Sequence, residues 1–240
     1  MRTIFLSVYD GDTEKNVLRA GTFAHLKGSG NRIVLLVRGK DRIDYYKKEF
    51  EDEQVTVELL PHATTDAERL WYFIGWNSLP TRAGEIRRHM YLARGWPYTR
   101  YLLGRILSVL GHVRLWRESL RFVYNAVPDD YAGELFDRYK PDLMFAPGMF
   151  SPEDNRLLKN AKRRGVMTVA TAKSWDVLTT KAFTRVKADR LLVFNEFNRQ
   201  EAVAIGDYKN EQVVVTGFPQ FDAYAHPDVF STREAFFERI

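Results

Sequence analysis

The chain has 240 residues, of which 45% are hydrophobic and 28% charged, an ordinary globular balance that excludes wholesale disorder. It contains no cysteine, which excludes disulfides, thiolate metal sites and a cysteine nucleophile and agrees with a cytoplasmic location. The formal net charge of +5 is unevenly placed: residues 69–121 hold ten arginines and no lysine against Glu85 and Glu118, a local +8 that leaves −3 for the rest.

The apolar start is too short for a secretory signal and runs at once into Asp10-Gly11-Asp12, so residues 3–9 read as a first strand. No uninterrupted apolar stretch reaches the length of a membrane span. Asp12 or Thr13 can cap a following helix, with Val17, Leu18, Ala20, Ala24 and Leu26 on its apolar side and Gly28-Ser29-Gly30 as its stop. Residues 32–38 predict a second strand, 41–51 a polar helix and 54–60 a third strand ended by Pro61. This alternation at short spacing predicts a doubly wound parallel sheet, an α/β Rossmann-like fold.

From residue 66 to 127 the rhythm is helical, clearest at Leu103, Ile106, Leu110, Val113, Leu120 and Tyr124, which predicts a helical insertion over about 64–128. Arg114, Arg117 and Arg121 share another helix face, and the segment holds Trp71, Trp76, Trp96 and Trp116. Tryptophan with arginine suits membrane headgroups or an anionic, partly apolar ligand. The alternative makes the tryptophans core and the arginines a solvated face.

The sheet pattern then resumes. Residues 131–139 predict a helix broken by Lys140-Pro141, and 142–146 a strand ending at Pro147-Gly148. Ser151-Pro152-Glu153-Asp154 starts a helix with proline in its first turn and acids at its positive end, stopped at Gly165. Three β-branched runs, 166–170, 190–194 and 212–216, read as buried parallel strands ending in polar loops. Ser231 and Glu234 have the spacing of a capping box, so a last helix starts near the end of the sequence.

Ligands of open α/β sheets sit beyond the carboxyl ends of the strands, which places the functional expectation on these loops. A phosphate-binding glycine loop is absent after the first strand, where two acids would repel a pyrophosphate. Asp10 and Asp12 can instead deprotonate an acceptor hydroxyl, with helix capping as the alternative. In the next loop Trp175 can stack on a sugar or base, and Asp176 can hold hydroxyls or act as a base. Lys173, Ser174, Thr179, Thr180 and Lys181 can bind phosphate oxygens. The alternative is a structural turn plugged by Trp175. Asn195 and Glu196 contact ligand or cap a helix, and Gly217-Phe218-Pro219 sets a turn with Gln220 and Asp222 as polar contacts. His25, His62, His89, His112 and His226 show no ligand spacing, so neither a metal nor another cofactor is expected. A nucleophile elbow is also absent.

The succession Ser174-Trp175-Asp176-x-Leu178-Thr179-x-Lys181, then Ala188-Asp189-x-Leu191-Leu192-Val193-x-Asn195-Glu196, then Val213-Val214-Val215-Thr216-Gly217-x-Pro219-Gln220-Phe221-Asp222 resembles the GT-B glycosyltransferases that build bacterial surface polysaccharides. More distantly it is similar to CDP-glycerol glycerophosphotransferases and UDP-N-acetylglucosamine 2-epimerases. Lys15 to Gly21 resembles the opening helix of the same family. The resemblance implies one N-terminal, acceptor-side Rossmann-like domain over residues 1–240, with the nucleotide-sugar donor bound by a second, C-terminal domain outside this sequence. It implies transfer of a sugar to a surface polysaccharide or lipid-linked acceptor, without a metal. Arg114, Arg117, Arg121, Trp96 and Trp116 would then meet the acceptor or an anionic membrane surface on the inner face of the cell membrane. Alternatives are a glycerophosphotransferase or epimerase of the same fold, and a non-catalytic Rossmann-like module on anionic membrane; no nucleic acid is expected, because the basic residues form no docking motif.

Overall fold

The computed structural model describes residues 1–181, 183–225 and 230–238. Among them, seven strands form one parallel sheet in the order β3-β2-β1-β4-β5-β6-β7. The strands are β1 (Thr3–Val8), β2 (Arg32–Val37), β3 (Val55–Leu59), β4 (Leu143–Ala146), β5 (Met167–Thr171), β6 (Arg190–Val193) and β7 (Val213–Val215). Each falls within a run predicted from β-branched content or shifts from it by one residue. The order reverses between β1 and β4, the topological switch point of a doubly wound sheet, where connections diverge and leave a crevice.

Alternation along the strands divides the core. Phe5, Val34, Leu36, Met144 and Ala170 pack on one face with Tyr124, Leu135 and Leu157. Leu6, Val8, Ile33, Leu35 and Val57 pack on the other with Val17, Phe23 and Tyr46. The first face is covered by α7 (Arg114–Ala126), α8 (Gly133–Tyr139) and α9 (Pro152–Arg163), the second by α2 (Gly21–Gly28) and α3 (Lys40–Phe50).

Two local predictions are corrected. The helix after β1 is not continuous: α1 (Gly11–Thr13) is capped by Asp10, passes into a wide turn over Glu14–Leu18, and restarts as α2 after extended Ala20. The wide turn lets the Arg19 amide reach the Glu14 carbonyl. The Glu14 carboxylate meanwhile accepts from Arg19 Nε at 3.1 Å and Tyr45 at 2.7 Å, anchoring the break to α3. At the end, Thr232 rather than Ser231 caps α12 (Arg233–Phe237), its hydroxyl accepting from the Ala235 amide at 3.2 Å.

Between β3 and α8 lie α4 (Asp66–Asn77), α5 (Arg82–Ala93), α6 (Tyr98–Gly111) and α7. The helical spacing is as predicted, but the faces are inverted. On α6, Leu103, Ile106 and Leu110 are exposed, with Ile106 at 58% and neighbouring Val109 at 66%. Its inner face is Gly104, Leu107, Ser108 and Gly111. A Cβ on Gly104 would stand 2.6 Å from Asn77 Oδ1, and one on Gly111 would overlap the Ser78 carbonyl. Small residues therefore allow close packing on α4 and turn the large apolar side chains outward.

The arginines expected at the surface behave oppositely. Arg117 and Arg121 are 6% and 4% exposed, and neither offers its charge to a membrane or acceptor. Arg117 grips Asp207 through Nε at 2.8 Å and Nη2 at 2.6 Å, while Arg121 Nη1 reaches the same carboxylate at 2.7 Å. Arg121 Nε also donates to the Thr184 carbonyl. Arg114 alone of the three remains exposed, 3.9 Å from Asp207. Asp207 adopts φ 57 in the turn before β7, where a short polar residue tolerates the left-handed region. No helix among the described residues is long and apolar enough to cross a membrane.

Candidate active site at the carboxyl rim

Asp10 leaves β1 in extended conformation and divides its carboxylate between two tasks. Oδ1 caps α1 by accepting from the Thr13 amide at 2.9 Å, and Oδ2 receives Lys173 Nζ at 2.7 Å. The cap, one of the two sequence readings of Asp10, is therefore present, and the same carboxylate carries an ion pair as well. Lys173 follows β5, two strands from β1 across β4, so the sheet brings together residues 163 apart in sequence. Asp12, largely exposed, approaches the same ammonium at 3.7 Å. Burial acts to raise the Asp10 carboxyl, but hydrogen bonds from Lys173 and Thr13 outweigh it and hold the group below the usual aspartate range.

Beside this pair opens a cavity of about 280 Å³. Its polar lining includes Thr13, Asn16, Thr22, Lys173, Thr216 and Asp222, over an apolar floor that includes Phe145, Leu192 and Phe194. The buried Asn16 Oδ1 has no hydrogen-bond partner among the described residues. Asn16 and Thr22 were not singled out by sequence reasoning, and Thr13 was named only as a candidate helix cap. Their signal was available only as polar residues following the first strand, masked by an apparently regular helix.

The rest of the Lys173 loop is tied to itself. Asp176 accepts from the Ser174 hydroxyl at 2.7 Å and from Thr180 at 3.0 Å, starting the short helix α10 (Val177–Thr180). Burial would raise Asp176, yet these hydroxyl bonds bring it below the ordinary value. The carbonyls of Thr179 and Lys181 accept from Thr81 and Tyr72, fastening the loop to the helical segment. Trp175 is no packing plug: its side chain is 67% exposed while its carbonyl accepts from Asn198 Nδ2 at 2.8 Å.

Asn195 caps α11 (Glu196–Ala204) through the Asn198 amide, and exposed Glu196 pairs with Arg199 at 3.3 Å. Gly217, at φ 83, makes the turn for which glycine is suited. Pro219–Ala225 then forms a 3-10 helix that carries Gln220 and sets Asp222 at the cavity. Phe194 and Phe218 stack at 3.9 Å beneath it.

A second cavity, of about 440 Å³, is walled by α4, α5 and α6 and by Thr64 and Pro152, which follow β3 and β4. Tyr91 and Trp96 stack at 4.3 Å, Arg100 lies 4.1 Å over Trp96, and Arg87 lies 5.3 Å over Trp76. Trp96 is thus part of a lined hollow, whereas Trp116 donates Nε1 to the Ser78 hydroxyl at 3.1 Å. Deeper in the switch-point crevice, Asp154 accepts from Ser7 at 2.5 Å and Tyr9 at 2.9 Å and is completely buried. Burial pushes its carboxyl up to about 6 against those two hydrogen bonds. Among the described residues no three His, Asp or Glu side chains gather in a metal-binding group; His226 lies outside them.

No family model and no curated protein matches the chain. Among solved structures it is similar to a glycosyltransferase from Rickettsia africae, with 10% identity, a TM-score of 0.44 and coverage of 99% of this chain and 48% of that one. It is also similar to Arabidopsis thaliana UGT89C1 complexed with quercetin, at 11% identity and TM-score 0.42, over 99% of this chain and 55% of that one. The UGT89C1 complex with UDP-L-rhamnose gives 12% identity and TM-score 0.40, over 90% and 48%. The chain spans about half the length of these structures.

Proposed function

We propose that this protein acts in glycosyl transfer, moving a sugar from a nucleotide-sugar donor to a glycan or lipid-linked acceptor at an anionic membrane surface. The observation that carries the reading is the Asp10–Lys173 pair on the carboxyl rim, beside a cavity lined by hydroxyl, amide and carboxylate groups. Asp10 accepts the proton of the acceptor hydroxyl as that oxygen bonds to the anomeric carbon. The bond from that carbon to the diphosphate breaks, and its electron pair leaves with the nucleotide. Lys173 neutralises the developing negative charge at the rim. Exposed Trp175 stacks on a sugar ring, and Asp222 and Asn16 meet its hydroxyls. The donor is held largely by a second domain.

The membrane part of this proposal rests on α6 rather than on the α7 arginines. Its outward stripe of Leu103, Ile106, Val109 and Leu110 is accompanied by exposed Arg94, Arg100, Arg105 and Arg114. A second copy of the chain would set arginine against arginine. An anionic bilayer accepts both the apolar stripe and its cationic border.

The test is nucleoside diphosphate release by the full-length protein from a panel of UDP-, GDP- and CDP-sugars, with glycan and lipid-linked acceptors. Activity that falls on the order of 10²- to 10⁴-fold in Asp10→Asn, without loss of fold, supports the assignment. An Asp10→Asn protein as active as wild type removes Asp10 from the chemistry. A folded protein that neither binds nor turns over any nucleotide sugar overturns the transferase reading.

A further inference from the structure

On the other side of the sheet from the Asp10–Lys173 rim, a groove of about 730 Å³ runs between α7 and α9 and is closed by the segments leading into β6 and β7. Its lining includes seven lysines and arginines but a single acid, Glu118. Most of these cations are already neutralised. Arg185 pairs with Glu68 at 2.6 Å, Arg121 with Asp207 at 2.7 Å, Lys162 with Asp189 at 2.6 Å and Lys187 with Glu118 at 2.9 Å. Three cations remain without a carboxylate among the described residues: Lys159, Arg163 and Lys209. Arg163 donates only to the Val127 carbonyl.

Lys159 is the anomaly. It is 3% exposed on α9, and its ammonium makes no hydrogen bond or ion pair among the described residues. Its close partner is the face of Tyr124, at 4.6 Å. The stem of Lys159 is buried and its ammonium stands at the groove wall over a ring face, which replaces little of what an anion would supply. Burial accordingly draws this group below the ordinary lysine range. The nearby acids favour its charge only from a distance, because Glu68 is held by Arg185 and Tyr124, and Asp129 by Arg156 at 2.7 Å.

We infer that this groove is a second ligand site, for a phosphate-bearing anion whose oxygens are bound by Lys159, Arg163 and Lys209. The volume and the excess of cations suit an anion of two or three charges, and charge-assisted bonds to phosphate oxygens supply the partner that Lys159 lacks. Exposed Phe122 stands at the lip of the groove. The ligand is therefore either a soluble phosphate ester or the headgroup of an anionic lipid, whose acyl chain Phe122 would meet. The assignment is independent of the proposed transfer reaction.

Calorimetric titration of the full chain with inorganic pyrophosphate tests the chemistry, and co-sedimentation with phosphatidylcholine vesicles, with and without phosphatidic acid, tests the source. Pyrophosphate affinity should fall at least tenfold in Lys159→Met and several-fold in the exposed Arg163→Gln/Lys209→Gln double variant. Phosphatidic acid binding lost in the same variants identifies a headgroup site; vesicle binding unchanged in them identifies a soluble ligand. Should Lys159→Met not fold, the surface double variant decides. The proposal is overturned if that variant matches wild type in both assays.

Discussion

The sheet and the four helices between β3 and α8 solve burial in opposite ways. Along β1 and β2 every buried position except Ser7 is apolar. In the helical segment, three arginines, Arg88, Arg117 and Arg121, lie inside and a stripe of leucine, isoleucine and valine lies outside. An inside-out helix face does not stabilise a monomer. Its presence beside a conventional core separates the part of the molecule built for folding from the part built to meet something else.

The sharpest form of that contrast is a pair of buried aspartates. Asp207 joins α7 to the turn before β7 by neutralising Arg117 and Arg121. Removing it as Asp207→Ala strands two guanidiniums in the interior and should cost about 3–5 kcal/mol in urea unfolding. Its carboxyl, which burial would raise, is brought below the usual range by the two arginines. The stabilisation is therefore complete above the unfolded aspartate value, near pH 4, and lost as pH falls through the lower folded value. A cost below about 1 kcal/mol would mean that the arginines are not truly sequestered, and the contrast with the sheet would collapse.

Asp154, under the sheet's switch point, has the reverse linkage. It is surrounded by the hydroxyls of Ser7 and Tyr9 with Glu153 as its neighbour, and burial raises it to about 6. The folded state thus holds this proton more tightly than the unfolded chain, and wild-type stability declines as pH rises from roughly 4 to 6. Asp154→Asn lacks that decline. Relative to wild type it should gain on the order of 2–3 kcal/mol between pH 4 and pH 7, measured by urea unfolding at both values. Equal pH profiles for the two proteins would place the Asp154 charge in a wetter site than the packing indicates.

The sheet was legible because its information is local. Val, Ile and Leu runs bounded by glycine, proline and acids mark each strand, and the loops that follow must gather on one rim, so Asp10 and Lys173 were both foreseeable as rim residues. Their contact was not, because strand order decides which loops meet. The inversion of α6 and α7 was hidden for a related reason. Periodicity reports that one helix side is apolar and another basic, but not which side faces in. Here Gly104 and Gly111 decide it, by admitting α4 to the small-residue side, and Asp207 decides it for the arginines from 90 residues away. Lys159 gave no signal at all, since a lysine in the basic end of a helix reads as solvated.

Gly111→Ala probes the close approach that turns α6 around. The added methyl would overlap the backbone carbonyl of Ser78, which cannot swing aside as a side chain can, so a loss of roughly 1–3 kcal/mol is expected in thermal or urea unfolding. Gly104→Ala meets the Asn77 side chain instead and should cost less.

The smallest effect on folding should come from the most drastic-looking change. Ile106→Asp with Val109→Asp places two charges on α6, yet both positions face away from the core. Stability should stay within about 0.5 kcal/mol of wild type, as for other surface substitutions. Binding to vesicles containing phosphatidylglycerol should be lost, because the acids remove apolar area and repel the anionic surface together. A large loss of stability would show that the stripe is covered within the folded protein. Unchanged stability with unchanged vesicle binding would leave the inverted face intact as a structural fact but assign it to a partner other than the bilayer. The two readouts therefore separate an unusual way of packing a helix from a surface shaped by a membrane.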